Sequence, residues 1–446
     1  MKKEMILVVL TLMVVTSAVN GCFDNERVPE ATTSLAYVTA STKDCLECHT
    51  KKQPAIVAQW RSGKMAEAGV GCFECHGAKE GEPDAIEHFN GHYVSSIVSP
   101  NDCGKCHGVQ KTQFLASHHA KAGAVLGSLD NYLGEVVEGF AANVSGCQQC
   151  HGSEVEIHDG GRATVQTWPN YGIGRINPDG TAGCCAACHS RHDFSLKQVR
   201  TPETCGKCHL GPDHPQMEIY TESKHNIAYR SHEDQMNMEV EPWLVGVDYV
   251  SAPVCATCHV SATPTQPSSH DIGLRLSWNI RAPISKKTES DHRKRLAMKD
   301  VCMTCHNPAY IEGFYAQFDA VVELYNNKFV IPAKAIMDKL RAAGKLDDTP
   351  FNEKIEWTYF YLWHHEGRRA RNGAAMCGPD YVQWHGFYEI AERFYLELIP
   401  EAEELLHGVT DEYMSMPDHN WFSGKMSDGD RKAIMGYYRE KYGVNP

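Results

Sequence analysis

Residues 185–209 read CAACHSRHDFSLKQVRTPETCGKCH, and this stretch decides what kind of chain folds here. Two cysteines three positions apart, followed at once by a histidine, occur in it twice: Cys185, Cys188, His189 and Cys205, Cys208, His209. Working outward, the same pattern recurs at Cys147/Cys150/His151, Cys103/Cys106/His107, Cys72/Cys75/His76 and Cys45/Cys48/His49 upstream, and at Cys255/Cys258/His259 and Cys302/Cys305/His306 downstream. Eight copies use sixteen of the 19 cysteines, a regularity that ordinary disulfide scaffolding does not produce. Two thiols about one helical turn apart form thioethers to the vinyl groups of a haem, and the imidazole directly after them reaches the iron. Zinc also binds Cys-x-x-Cys pairs, but it has no use for a histidine directly after the second cysteine in every copy. Eight covalently attached haem c groups are therefore expected, with His49, His76, His107, His151, His189, His209, His259 and His306 as proximal ligands.

The chain of 446 residues is 42% hydrophobic and 22% charged, enough to bury a core and to hold two or three domains. Its formal charge of -13 offers no basic footprint for a phosphate backbone, which sets nucleic-acid binding aside. Lys2 and Lys3 precede an apolar run from Met5 to Val19, shorter than the ~18–20 residues needed to span a bilayer, so residues 1–21 read as an export signal. Val19-Asn20-Gly21-Cys22 is similar to a lipobox, and Cys22 is expected to carry lipid, with an ordinary signal or an uncleaved anchor as the alternatives. Every version places the body outside the cytoplasm, in the periplasm or on the outer face of the cytoplasmic membrane.

Residues 22–44 form a polar linker, residues 45–309 carry the haem motifs between Gly-, Pro- and Asn-rich connections, and residues 310–446 change texture. Phe314, Phe318, Val321, Val322 and Tyr325 fall on one helical face, as do Phe387, Ile390, Ala391, Phe394 and Leu398. Further helices are predicted over Glu353 to Arg371 and Asp428 to Tyr442, and short strand pieces near Val247 to Val250. The fold class is mainly α: a multihaem cytochrome c domain with little regular sheet, followed by a long-helix C-terminal domain. In that haem domain the haems themselves supply buried apolar surface.

Of 24 histidines, eight are proximal ligands, which leaves sixteen for the opposite faces of the irons. Counting does not reveal whether one iron stays open, the feature that separates an enzyme from a wire. His118 or His119, His225 and His270, each a short way past a haem motif, are the distal candidates, against the reading of each as a solvated surface histidine. Cys184 permits a three-residue spacer to Cys188, but Cys185 gives the usual one; Cys184 and Cys377 read as buried thiols or a disulfide.

The eight motifs, the helical tail, and the strings Ser190-Arg191-His192-Asp193-Phe194-Ser195, Gly211-Pro212-Asp213-His214-Pro215, Ser223-Lys224-His225 and Gly378-Pro379-Asp380-Tyr381-Val382-Gln383-Trp384-His385-Gly386 together resemble the octahaem hydroxylamine oxidoreductase family, hydrazine-oxidising relatives included. The resemblance covers about Cys45 to Leu406. It implies that the haem held by Cys147, Cys150 and His151 is catalytic and lacks a distal protein ligand. It also implies that Tyr381, from a neighbouring subunit of a homotrimer, is crosslinked to that haem. Such a link distorts the ring and favours oxidation, whereas reductive relatives lack the tyrosine. The alternative makes Tyr381 a packed aromatic beside Trp384 and Phe387. Oxidation releases protons and needs a base, for which Asp213 and His214 match the family's distal pair, with His192 and Asp193 as runners-up. The alternative for His214 is an iron ligand or a turn residue.

Two departures from the family are the shorter chain and the lipid anchor, while the absence of a Cys-x-x-Cys-Lys motif argues against a nitrite reductase. The expected activity is oxidation of hydroxylamine to nitric oxide or nitrite, with electrons passed to a redox partner such as a small cytochrome c. Hydrazine oxidation, reductive nitrite or hydroxylamine conversion, and a non-enzymatic electron conduit are the alternatives. The run from Glu366 to Arg371 reads as a solvated helix face, or as partners of haem propionates and acidic neighbours, rather than as a docking patch.

Overall fold

The computed structural model describes residues 38–443, so the signal, Cys22 and most of the linker lie outside the described residues. The chain is mainly helical with little sheet, the class its texture predicts. In the first part each haem motif sits on or beside helical backbone, because cysteines at i and i+3 must project from one face: the first lies within Ala40–Lys52, the eighth at the end of Asp291–Met303, and the others on short turns. Cys72–His76, Cys147–His151 and Cys255–His259 are five-residue helices made of the motif itself. Others are started by strong local signals: Pro100–Gly104, which carries Cys103, has Ser99 as cap, with Asp102 accepting from the Ser99 N–H at 2.8 Å and Pro100 at the first position. The sheets are two-residue pieces, such as Gly77–Ala78 and Ile86–Glu87 flanking Tyr93–Val94. No strand forms at Val247 to Val250; Asp248 closes a turn on Leu244 instead, leaving one isolated bridge between Val245 and Tyr249.

Around the fourth motif two backbone segments cross at a distance only glycine tolerates. A Cβ on Gly172 would lie 2.0 Å from the Gly152 nitrogen, and Gly152 itself adopts φ +84. That approach lets the Ile173 and Gly174 amides donate to the Cys150 and His151 carbonyls at 3.0 Å, which fixes the attachment peptide against the following loop.

Apolar cores in the haem-bearing part are small and separate, one around Tyr229, Met236, Trp243 and Val254, another around Leu46, Val57 and Trp60. The C-terminal part owns a continuous one, with Tyr325, Ile336, Met337, Leu340, Leu362, Ile390, Phe394 and Leu398 all fully buried. Three long helical stretches build it, each interrupted by wide turns: Tyr325–Val330, Tyr361–Glu366, and Gln383–Tyr388 with Phe394–Leu398. Two of these turns end just before Pro332 and Pro400, whose rings lack an N–H and crowd the carbonyl four residues back, so the helix widens there. The wide turn at Tyr361–Glu366 has no proline; it carries His364. The helix Asp428–Tyr442 forms as its sequence predicts but buries no residue. No helix among the described residues is long and apolar enough to cross a membrane.

In the Glu366 to Arg371 run the structure corrects the solvated-face alternative and agrees with pairing to acidic neighbours. Glu366 and Arg371 are buried, Arg393 pairs with Glu366 at 2.6 Å, Arg369 with Glu389 at 2.7 Å, and Arg368 with Asp213 at 3.0 Å. Cys184 is buried as expected, but Cys377 is exposed, on a left-handed turn with φ +60, and the two form no disulfide.

Candidate haem sites and catalytic pocket

Two imidazoles ligating one metal from opposite faces, with bonds of about 2.0–2.1 Å and ring centres roughly 1 Å behind the nitrogens, have centroids about 6 Å apart. Five motif histidines face a second histidine at this spacing. His49 faces His88 at 6.1 Å, His76 faces His192 at 6.4 Å, His189 faces His270 at 6.3 Å, His209 faces His119 at 6.0 Å and His306 faces His225 at 6.2 Å. Such repeated spacing fits axially ligated haem and has no use in a protein without it. Three of the four distal candidates, His119, His225 and His270, are thereby placed opposite a motif. His118 is not; it lies against Gly273 and is influenced by Arg281, Lys294 and Asp271. His88 and His192 were not among the distal candidates named from sequence, although each, like His119, His225 and His270, lies a short way past a haem motif. His192, expected as a runner-up base, faces His76 instead, and this removes the His192/Asp193 pair from the catalytic role. Among the described residues no ring pair of this kind involves His107, His151 or His259.

The attachment thiols order the motifs in space. Cys45 neighbours Cys72, Cys75 neighbours Cys103, and Cys188 neighbours Cys205, while Cys103 touches Cys185, Cys205 touches Cys255 and Cys258 neighbours Cys302. Cys150 of the fourth motif touches Cys208 of the sixth. The result is a line through motifs one, two, three, five, six, seven and eight, with the fourth as a side branch on the sixth. Cys185, not Cys184, meets Cys103, in agreement with the two-residue spacer.

Cover over these thiols is uneven. Cys48, Cys106 and Cys305 are exposed, whereas the other thirteen are partly covered by the chain. Position in the line explains the difference. Motifs one and three meet their neighbours through the first cysteine, Cys45 and Cys103, and motif eight mainly through Cys302 with Cys305 as the weaker neighbour of Cys258, and the second cysteine of each is exposed. Motifs two, five, six and seven use both cysteines and cover both. Outward placement leaves Cys48, Cys106 and Cys305 within reach of a haem edge, since a thioether requires an accessible sulfur rather than a buried one.

The side branch is where titratable groups collect. Burial and then the charge of His214 hold the His151 imidazole below its ordinary range, with Asp213 and Asp130 acting in the opposite sense. His214 Nδ1 is 2.5 Å from Asp213 Oδ1 and its Nε2 is 2.8 Å from the Cys208 carbonyl. Both partners are acceptors, so both nitrogens donate, and His214 is an imidazolium rather than an iron ligand, although its ring stands edge-on to His209 at 6.1 Å. Burial opposes that charge, but the Asp213 hydrogen bond and carboxylate outweigh it and raise the His214 pKa. Burial likewise opposes ionisation of Asp213, yet His214, His364 and Arg368 hold its carboxyl well below the usual range.

Asp213 Oδ2 accepts from Arg368 Nη1 at 3.0 Å, and Arg368 Nη1 also lies 2.9 Å from His364 Nε2. His364 Nε2 is 3.2 Å from Asp130 Oδ1. Asp130 and His364 were not found from sequence, and Arg368 was named only within the Glu366–Arg371 run; the paired histidines at 364 and 365, directly after the aromatic-rich segment 357–363, were the available signal. Tyr381 lies elsewhere. It lines a cavity of about 190 Å³ with Gly211, Pro212, Pro215, Glu218, Arg369 and His385, and its ring is 5.3 Å from His385. It therefore packs on the Gly211–Pro215 loop that carries Asp213 and His214, but the groups acting on it are Glu222, Glu218, Arg369 and Asp380, not that pair.

Comparison with known proteins matches two family models: one described as seven times multi-haem cytochrome CxxCH over residues 179–353, which spans the last four motifs, and one described as cytochrome c554 and c-prime over residues 23–77, which spans the first two. A probable nitrite reductase-hydroxylamine oxidoreductase fusion protein of Kuenenia stuttgartiensis is 24% identical over 359 residues, 69% of this chain but 38% of that protein. The chain thus spans well under half the length of that curated relative. A solved hypothetical multiheme protein is 26% identical with a TM-score of 0.75, covering 84% of this chain and 97% of that one. A reducing HAO-like protein complex of Kuenenia stuttgartiensis shares the fold at 20% identity and TM-score 0.62, covering 84% and 87%. These findings support a redox protein of multihaem cytochrome c type, similar to hydroxylamine-oxidoreductase-like proteins, and indicate covalently bound haem c.

Proposed function

We propose that this chain is an octahaem c-type cytochrome that oxidises hydroxylamine, to nitric oxide or nitrite, at the haem held by Cys147, Cys150 and His151. That haem would supply an open iron for the nitrogen ligand, and its seven companions an outlet for electrons. The carrying observation is the hydrogen-bonded Asp213–His214 pair beside His151, with both His214 nitrogens engaged away from ligation. Asp213 fixes the orientation of the imidazole, Arg368 fixes Asp213, and His214 exchanges a proton at Nε2 once that atom is free. Tyr381 is assigned to the catalytic haem of a neighbouring copy in a trimer, with a crosslink there; its half-buried position on the open cavity beside the Gly211–Pro215 loop supports a role between copies. A lipid anchor at Cys22, a position outside the cytoplasm and a small cytochrome c as electron acceptor complete the proposal.

One observation favours reductive conversion of nitrite or hydroxylamine as the second reading. A doubly donating His214 is already an acid, suited to giving protons, and the names of two relatives include nitrite reductase and reducing. The two directions have opposite pH limbs. Oxidation needs His214 bare, so its rate rises with pH through a pKa lifted above the ordinary imidazole range; reduction needs His214 charged, so its rate falls across the same interval. Parallel pH profiles on purified holoprotein with hydroxylamine and with nitrite test this. Turnover of hydroxylamine on a rising limb supports oxidation, and nitrite or hydroxylamine consumption on a falling limb replaces it with reduction.

A further inference from the structure

The pocket contains a second carboxylate–imidazole pair built like the first. His364 comes from the wide turn Tyr361–Glu366 of the C-terminal part, with its side chain only 8% exposed, stacked on Phe360 at 4.2 Å and edge-on to Trp363 at 5.0 Å. Its partner Asp130 comes from the short helix Leu129–Tyr132 that precedes the fourth motif. Arg368 stands between the two pairs and donates towards both Asp213 and His364.

The neighbours of His364 Nε2 make contradictory demands. A guanidinium only donates, so Arg368 at 2.9 Å requires a bare nitrogen, whereas the Asp130 carboxylate at 3.2 Å requires an N–H. In the first state the proton sits on Nδ1, which is buried and has no partner. Each protonation state leaves one contact unmet, so neither is locked in place. A histidine kept only for packing between Phe360 and Trp363 has no need of this arrangement. The groups facing the ring are Asp130, Asp213 and Arg368, with His365 beside it and Arg369 one turn on.

We infer that Asp130 and His364 form a second proton-carrying pair that empties His214 during turnover, an inference that rests on the fourth haem being the reaction site. Each hydroxylamine that becomes nitric oxide gives up three protons with its three electrons, and one imidazole holds one of them. The proton leaves His214 Nδ1 and bonds to Asp213. It then leaves Asp213 and bonds to His364 Nε2 when Asp213 Oδ2 and that nitrogen, 3.9 Å apart at rest, close to hydrogen-bond distance, so the positive charge moves from His214 to His364 beside the Asp130 carboxylate. Arg368 cannot itself pass the proton, since it stays charged; it positions both carboxylate–imidazole pairs. His364 is thus a relay residue that does not touch the substrate.

Cyanide provides a readout besides turnover, because hydrogen cyanide binds ferric haem as the anion and leaves its proton to the pocket. In holoprotein, His364→Gln should slow proton appearance in a pH-indicator dye roughly ten-fold or more relative to cyanide binding, and lower kcat for hydroxylamine by a similar factor with KM unchanged. Asp130→Asn, at a half-exposed position, should reproduce the delay if His364→Gln folds poorly. Unchanged proton release in either folded variant overturns the relay. If the variants delay proton release on cyanide but the wild type turns over no nitrogen substrate, the relay stands and the proposed activity falls; if no haem binds cyanide, both fall.

Discussion

Replacing His214 by Gln should lower kcat for hydroxylamine by roughly 10²–10⁴-fold, the usual contribution of a positioned acid–base group, while haem content and the low-spin spectrum stay as in the wild type. Glutamine fills similar space and still donates towards Cys208, but it neither holds nor releases a proton. Asp213→Asn should fall in the same range, because the amide abolishes the charge that orients His214 and leaves Arg368 facing a neutral group. If the two act as one unit, the double variant is no slower than the worse single variant. Retention of kcat within about two-fold in His214→Gln would remove the pair from the chemistry.

The second large effect concerns the union of the two parts of the chain. Arg371 is fully buried and donates to the Gly367 carbonyl at 2.7 Å, the Ala282 carbonyl at 3.1 Å, Ser285 Oγ at 2.6 Å and the Trp363 carbonyl at 3.2 Å. Its guanidinium lies 3.9 Å from the centre of the Tyr325 ring. Among the described residues no carboxylate pairs with it, and burial pulls its pKa down to about 10, with the Tyr325 hydroxyl working the other way. The carbonyls and the ring therefore hold the charge. Arg371→Leu should cost about 3–5 kcal/mol, because the leucine refills part of the volume but leaves the 282–285 acceptors in a dry interior without donors. Denaturant unfolding followed by tryptophan fluorescence checks this, and a loss below about 1 kcal/mol would mean that water reaches those carbonyls.

Legibility followed the range over which each interaction acts. The haem motifs are local, five residues long, and their spacing alone identifies the cofactor and five-residue turns such as Cys147–His151. How deeply each thiol sits is not local: Cys48, Cys106 and Cys305 belong to the same pentapeptide as the covered cysteines, and only the packing of one motif on the next separates them. The stripe of Phe314, Phe318 and Val322 announced a helix because its spacing is local too, and that helix forms as Pro308–Leu324. Opposed histidines are set at longer range: His88 meets His49, and His192 meets His76 across more than a hundred residues, and the short step past a motif that both share with His119, His225 and His270 does not say which motif histidine each one faces. Asp213 and His214 were legible through a family string, whereas Asp130 joins them from the short helix before the fourth motif, and His364 and Arg368 from one helical stretch of the C-terminal part. In the Glu366–Arg371 run the pairing of arginines with acidic neighbours was legible as one reading, but which carboxylates they meet, and that Glu366 and Arg371 are buried, is set only when the helices pack.

The central claim is an open coordination position at the haem of Cys147, Cys150 and His151. Electron paramagnetic resonance of the ferric holoprotein, before and after cyanide, tests it most directly. The account predicts one high-spin signal that cyanide converts to low spin, with a binding rate altered by His214→Gln. Eight low-spin signals unmoved by cyanide, or a high-spin centre indifferent to His214→Gln, would contradict it.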